Sequence, residues 1–208
     1  MLLGETATLR FVDKPAGVPV FPPHADPDGD CVLRRLLAAF PEQGAPGFPE
    51  GFAGGIAHRL DTLTSGFLVV ARTPDALARL RAAWPSLRKL YHLRSSADVD
   101  FDDRVVDAPI GNHARRTERV VVQRWARERH RGRWLPAWTH FRRVQGSLWS
   151  AEIRTGVRHQ VRAHAAFVGL PLDGDVLYGG RPDTTPVLRH VAIEGEGLRF
   201  ALPEAGPR

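Results

Sequence analysis

Two clusters in this 208-residue chain combine residue types able to do chemistry. The first is His58-Arg59-Leu60-Asp61-Thr62-Leu63-Thr64-Ser65-Gly66. A cation at Arg59 favours the charged form of a neighbouring carboxylate, and an ionised Asp61 is a nucleophile of the kind used in covalent catalysis. Asp61, Thr62, Thr64 and Ser65 are equally ordinary turn residues whose side chains bond nearby backbone. Both readings stand on these residues alone. The second cluster is Thr155-Gly156-Val157-Arg158-His159-Gln160-Val161-Arg162-Ala163-His164. Arg158 and Arg162 are four apart, as are Gln160 and His164, so on a helix each pair shares a face. Cations in a first helical turn oppose the helix dipole. A phosphate or carboxylate at that helix start would offset the cost; a solvated basic face is the alternative.

Other chemistries lack their residues. His159 and His164 are five apart, off a common helical face, and there is no HExxH or paired-cysteine pattern for a metal. The phosphate-binding GxxxxGK[ST] loop and the dinucleotide fingerprint GxGxxG are absent, as is the GxSxG nucleophile elbow. The expectation is therefore an activity needing neither cofactor nor metal.

The elements that must carry these clusters can be read from pattern. Leu9 to Val12 has the look of a short strand ending at the Lys14-Pro15-Ala16-Gly17 turn. Val32, Leu33, Leu36, Leu37 and Phe40 repeat at helical spacing and stop at Pro41. Pro41 to Gly55, rich in glycine and proline, is expected to be a loop. Gly66 to Ala71 is an apolar run typical of a strand covered on both faces. Thr73-Pro74 supplies an N-cap and first-turn proline for a helix through Leu77, Leu80 and Trp84.

Further strands are expected at Lys89–Arg94, Val120–Gln123, Thr139–Val144 and Leu148–Arg154, with Gln145-Gly146-Ser147 as a hairpin turn. A helix is predicted over Arg158–Phe167, closed by Gly169 and Pro171. Val187–Ile193 and Leu198–Ala201 complete the set. Adjacent strands mixed with few helices define an α+β class rather than alternating βαβ units. A boundary near residue 100 is conceivable, though no linker composition marks it.

Charge placement narrows the partner. The chain is 43% apolar and 25% charged, with a formal charge of +6. Only Lys14 and Lys89 are lysines, so 27 of the 29 cations are arginines. From His113 to Arg143 there are ten arginines against Glu118 and Glu128, a local +8, so the remainder of the chain sums to −2. A localised basic stripe is the electrostatic footprint of a polyanion partner, although charge runs are often simply solvated. One cysteine, Cys31, excludes a disulfide framework and fits a reducing compartment. No apolar run reaches the roughly 20 residues of a membrane helix, and MLLGETATLRFVDKP lacks signal-peptide regions. A cytoplasmic protein with no membrane association is the expectation, with a compact monomer as the default.

Five blocks occur in the order found in one family: DKPAGVPV at Asp13–Val20, HRLDTLTSGFLVVAR at His58–Arg72, KLY at Lys89–Tyr91, TGVRHQVRAHAAFVGLPLDGDVLYGG at Thr155–Gly180, and a weaker segment around Leu188–Leu202. By these blocks the chain resembles the RluA-type RNA pseudouridine synthases. The resemblance implies a long, mostly antiparallel sheet flanked by helices, with a central cleft. It implies one catalytic domain over residues 1–208, without the S4-type RNA-binding domain that many relatives append. It also implies isomerisation of uridine in ribosomal or transfer RNA, without cofactor.

By the family's pattern Asp61 is the catalytic carboxylate, attacking either the sugar C1′ or the base. Tyr91 packs on the uracil face and assists proton removal from C5. Arg162 pairs with Asp61, and Arg59 fills the space left by the extruded nucleotide. Arg158, His159 and Gln160 fall in the substrate-binding motif. There the sequence departs from the family, because Val157 stands where an arginine is usual and Arg158 follows it. Arg115, Arg116 and Arg119 of the basic stripe are the expected RNA contacts. A non-catalytic RNA-binding or RNA-folding protein keeping the same cleft is the rival. A metal-dependent nuclease would need a carboxylate cluster that these motifs do not supply.

Overall fold

A computed structural model describes residues 2–45, 47–182, 187–195 and 198–201. The chain divides into two compact units: residues 1–87 with 189–192 and 197–208, and residues 88–188 with 193–196. Of the closing motif block, Leu202 lies outside the described residues.

In the first unit, β1 (Leu2–Glu5) pairs antiparallel with β2 (Leu9–Lys14), and β2 with β3 (Ser65–Ala71). Arg189 and His190 of β11 (Leu188–Gly195) run parallel to Ser65 and Gly66 of β3. β3 is buried from Gly66 to Ala71, as expected of a continuous apolar run. Helix α1 (Val32–Ala39) buries Val32 and Leu36, and it ends before Pro41. Helix α2 (Pro74–Ala83) starts at Thr73, whose Oγ1 accepts the Ala76 N–H at 3.2 Å. The glycine-rich stretch Pro41–Gly55 is non-repetitive except for 3₁₀ turns at Pro41–Gly44 and Ala53–Gly55. The last strand, β12, is Leu198–Ala201.

The second unit holds an antiparallel sheet of β4 (Arg88–Arg94), β10 (Leu148–Ile153), β9 (Trp138–Gln145) and β5 (Asp103–Asp107), in that order. Its core packs Leu93, Phe141, Trp149 and Ile153 against Val161 and Ala165 of α3 (Gln160–Phe167). A small antiparallel sheet, β7-β6-β8 (Val120–Val122, Ile110–His113, His130–Leu135), packs Ile110, Val120 and Val122 with Ala163 and Tyr178. Among the described residues, mostly antiparallel pairing, a parallel contact between β3 and β11, and three α-helices make this an α+β protein. Among the described residues no helix is long and apolar enough to cross a membrane.

One expected element needs correction. α3 begins at Gln160, two residues later than predicted, because His159 adopts φ +55°, outside the right-handed helical region. Arg158 therefore precedes the helix and shares no helical face with Arg162. Gln160 and His164 do share one: both bond Thr139 Oγ1, at 3.2 and 2.8 Å.

Candidate active site

In the first unit, Asp61 stands on the turn leading into β3. Asp61 O accepts the Thr64 N–H at 3.0 Å, closing that turn. The next carbonyl, Thr62 O, accepts the Gly17 N–H at 2.9 Å and a bond from Lys14 Nζ at 2.9 Å. Lys14 Nζ also donates to Pro15 O and Val18 O, at 2.9 and 2.6 Å. All three ammonium protons are thus spent on carbonyls that join the Lys14–Val18 turn to the turn carrying Asp61. Burial pushes the Lys14 pKa down to about 8, while the Asp61 carboxylate pulls it back up. Lys14 is not among the residues that the sequence motifs single out for a role. Its signal was a lysine set in a Pro-Gly turn at the end of an apolar strand.

Gly66 explains the glycine after Ser65. With φ +111°, its missing side chain admits the His190 backbone, and a Cβ there would overlap the His190 carbonyl oxygen. His58 is half-buried; its Nε2 accepts the Val69 N–H at 3.2 Å and its ring lies 4.7 Å from that of Trp84. His58 thereby orients the chain entering the Asp61 turn. Arg59 is exposed and Asp61 half-buried.

In the second unit, Tyr91 is half-buried on β4 against that unit's core, and Arg162 lies in the first turn of α3. Arg162 is 6% exposed. It makes a two-pronged ion pair with Asp175, itself 1% exposed: Nε to Oδ2 at 2.6 Å and Nη2 to Oδ1 at 2.8 Å. This geometry takes two of the five guanidinium N–H groups and fixes its plane. The Tyr178 ring lies 5.1 Å from the Arg162 guanidinium carbon.

Asp175 and Tyr178 come from the GDVLYGG block, in which the motifs alone assign no residue a role. Tyr178 Oη accepts the Val120 N–H at 2.9 Å and meets His159 Nδ1 at 2.9 Å. Burial raises the Tyr178 pKa, opposed by the Val120 bond and by Arg162, Arg119 and Arg158. The phenol therefore stays protonated and links the small sheet to the start of α3.

The remaining expected residues all lie in this second unit. Gln160 is buried with both amide ends engaged: Oε1 accepts from Thr155 Oγ1 and Val157 N, and Nε2 donates to Trp138 O and Thr139 Oγ1. Arg158 is exposed and donates to Thr117 O at 2.7 Å. Arg115 and Arg116 are exposed on a turn whose N–H groups they donate to His113 Nδ1, at 3.2 and 3.1 Å. Arg119 is half-buried with its guanidinium 5.1 Å from the Tyr178 ring. Lys89, of the KLY block, is buried and donates to Arg154 O at 3.3 Å.

Comparison with solved structures places this fold among pseudouridine synthases. The human RNA pseudouridylate synthase domain containing 1 superposes with a TM-score of 0.76, covering 98% of this chain and 82% of that one at 18% identity. The human domain containing 4 gives 0.70 over 98% and 88%, at 20% identity. A family profile described as RNA pseudouridylate synthase matches residues 8–167, a span that includes Asp61, Tyr91 and Arg162. The chain belongs to that family.

Curated relatives include the ribosomal large subunit pseudouridine synthase D of Yersinia pestis, 34% identical over 86% of this chain and 52% of its own length. The protein of the same name from Nitrosomonas europaea is 37% identical over 99% and 59%. The chain thus spans somewhat over half the length of the relatives it matches.

Proposed function

We propose that this chain isomerises uridine in RNA to pseudouridine, with Asp61 as the catalytic carboxylate. The N1–C1′ bond breaks, the uracil turns while held, and C1′ bonds to C5. The C5 proton leaves and N1 gains one, so the reaction is balanced without any external oxidant or donor. Asp61 attacks C1′ or the base and is released as the new bond forms. Tyr91 packs on the uracil and assists removal of the C5 proton. Arg162 is the cationic partner that the family's pattern assigns to this carboxylate. Gln160 and Asp175 act through position, holding the start of α3 and the Arg162 plane.

The target base leaves its stack at a cost of about a few kcal/mol, and Arg59 fills the vacated space. Holding the cleaved base beside the sugar makes recombination effectively intramolecular. Arg115, Arg116, Arg119 and Arg158 hold the RNA backbone, with His159 at the helix start beside them.

The observation that supports this reading most is the double anchoring of the Asp61 turn, by Lys14 and Gly17, in a member of the RNA pseudouridylate synthase family. Large-subunit ribosomal RNA is the first substrate to test, on the names of the relatives. Incubation with [5-³H]uridine-labelled ribosomal RNA is expected to release tritium to water, and to do so equally in excess EDTA. Absence of release with full RNA binding would instead mark an RNA-binding protein without turnover. Release that stops in EDTA while the RNA stays folded would contradict the metal-free mechanism.

A further inference from the structure

Arginines in the second unit fall into two states. Arg142 and Arg143 of β9 are ion-paired, with Asp103 and Asp102 respectively. Among the described residues, the other eight arginines between positions 113 and 143 have no carboxylate at ion-pair distance. Three of these eight are otherwise engaged: Arg119 over Tyr178, Arg124 over Phe167, and Arg131 on His113 O. Elsewhere Arg10, Arg34, Arg35, Arg88, Arg154 and Arg189 each hold a carboxylate. From Arg115 to Arg133 the stripe therefore carries its positive charge without ion pairs among the described residues.

Trp125 stands in the middle of that stripe, 73% exposed, the most exposed large apolar side chain among the described residues. Each of the other four tryptophans has a ring or cation partner: Trp84 with His58, Trp134 with His130, Trp138 with Arg154 and Trp149 with Arg143. Trp125 has none among the described residues. The Glu128 N–H donates to Trp125 O at 3.1 Å, closing a turn between β7 and β8. Arg124, just before it, lies 4.9 Å from the Phe167 ring on α3, and Val122 is buried beneath. An exposed indole on a turn between exposed cations, Arg127 and Arg129 among them, offers an unoccupied flat apolar face beside unpaired positive charge.

We propose that Trp125 is a stacking platform for an unpaired base of the RNA, outside the reacting uridine, with Arg127 and Arg129 contacting the adjoining phosphates. Every base has a π-face, and single strands expose it beside the phosphate chain, whereas a duplex hides it. The proposal rests on the reading of RNA as substrate, and assigns part of that recognition to a single-stranded segment.

The test is binding of a labelled oligouridylate of about 12 nucleotides, within the usual span of one such face, against a blunt RNA duplex of equal length. Stacking on an aromatic contributes roughly 1–3 kcal/mol, so Trp125→Ala is expected to weaken oligouridylate binding by about five- to 150-fold. Duplex binding should hardly change, and Trp125→Phe should recover most of the loss. The salt dependence of Trp125→Ala stays that of the wild type, since no phosphate contact is removed. Joint replacement Arg127→Ala and Arg129→Ala should flatten the slope by about 0.7 per contact on a single strand. Tritium release at saturating ribosomal RNA is expected to be unchanged in Trp125→Ala, with the loss confined to KM.

Wild-type oligouridylate affinity in Trp125→Ala, or an equal loss on the duplex, overturns the platform while leaving the enzymatic reading intact. No tritium release and no RNA binding by the wild-type chain would overturn the enzymatic reading itself.

Discussion

Replacing Asp175 by Asn keeps the shape of the residue that holds Arg162 and removes its charge. The pair is nearly dry, with both partners at most 6% exposed and two contacts at 2.6 and 2.8 Å. Two unit charges about 4 Å apart attract by ~4 kcal/mol at an effective dielectric near 20. Removing one partner of a buried pair destabilises by about 3–5 kcal/mol, because the remaining charge loses its ion-pair partner while staying buried. Asp175→Asn is therefore expected to lose about 3–5 kcal/mol in urea unfolding followed by tryptophan fluorescence. The matched control is Asp28→Asn, whose partner Arg34 is 46% exposed and whose own side chain is 96% exposed. Screened surface pairs contribute at most about 1 kcal/mol. Any surviving folded Asp175→Asn protein should also turn over slowly, since the guanidinium plane is no longer fixed. Refutation would be a loss no larger than that of Asp28→Asn, with turnover retained.

Two further outcomes follow from the anchoring residues. Burial holds both Lys14 and Lys89 at a pKa of about 8, below the ordinary lysine value of 10.5. Between these values the unfolded chain keeps protons that the folded chain has released, so the lysines make stability rise with pH from about 8 to 10.5. Urea midpoints measured across that window test this: Lys89→Met should flatten the rise, and an unaltered profile would show that Lys89 titrates normally. Gly66→Ala should destabilise by at least ~1 kcal/mol, combining left-handed backbone strain with overlap on the His190 carbonyl; a thermal midpoint equal to wild type would show that β3 and Arg189–His190 yield without cost.

How much of this was legible in the sequence depends on where each signal resides. Val32 and Leu36 at helical spacing fixed α1, the apolar run fixed β3, and Thr73-Pro74 fixed the start of α2. Strands β5 and β8 were illegible because Asp103, Arg104, Arg131 and Arg133 are exposed, leaving little apolar alternation to read. The start of α3 was misplaced because a left-handed His159 has no compositional signal.

Among the site residues, the positions of Asp61, Tyr91 and Arg162 could be named from family motifs. Their supporting residues could not. Asp175 is 13 positions from Arg162 and reaches it only through the turn after α3, where Gly180 packs against the Leu172 carbonyl. Lys14 was masked by the general rule that lysines face water; its burial is visible only once Pro15, Val18 and Thr62 present their carbonyls together.

If the Asp61 carboxylate performs the isomerisation, its replacement in Asp61→Asn removes the chemistry and leaves the fold of the turn. Wild type and variant are each incubated with [5-³H]uridine ribosomal RNA, and tritium release is measured alongside RNA affinity. Release is expected from the wild type, none above background from the variant, and closely similar affinity from both. Normal release by Asp61→Asn would contradict a catalytic role for Asp61.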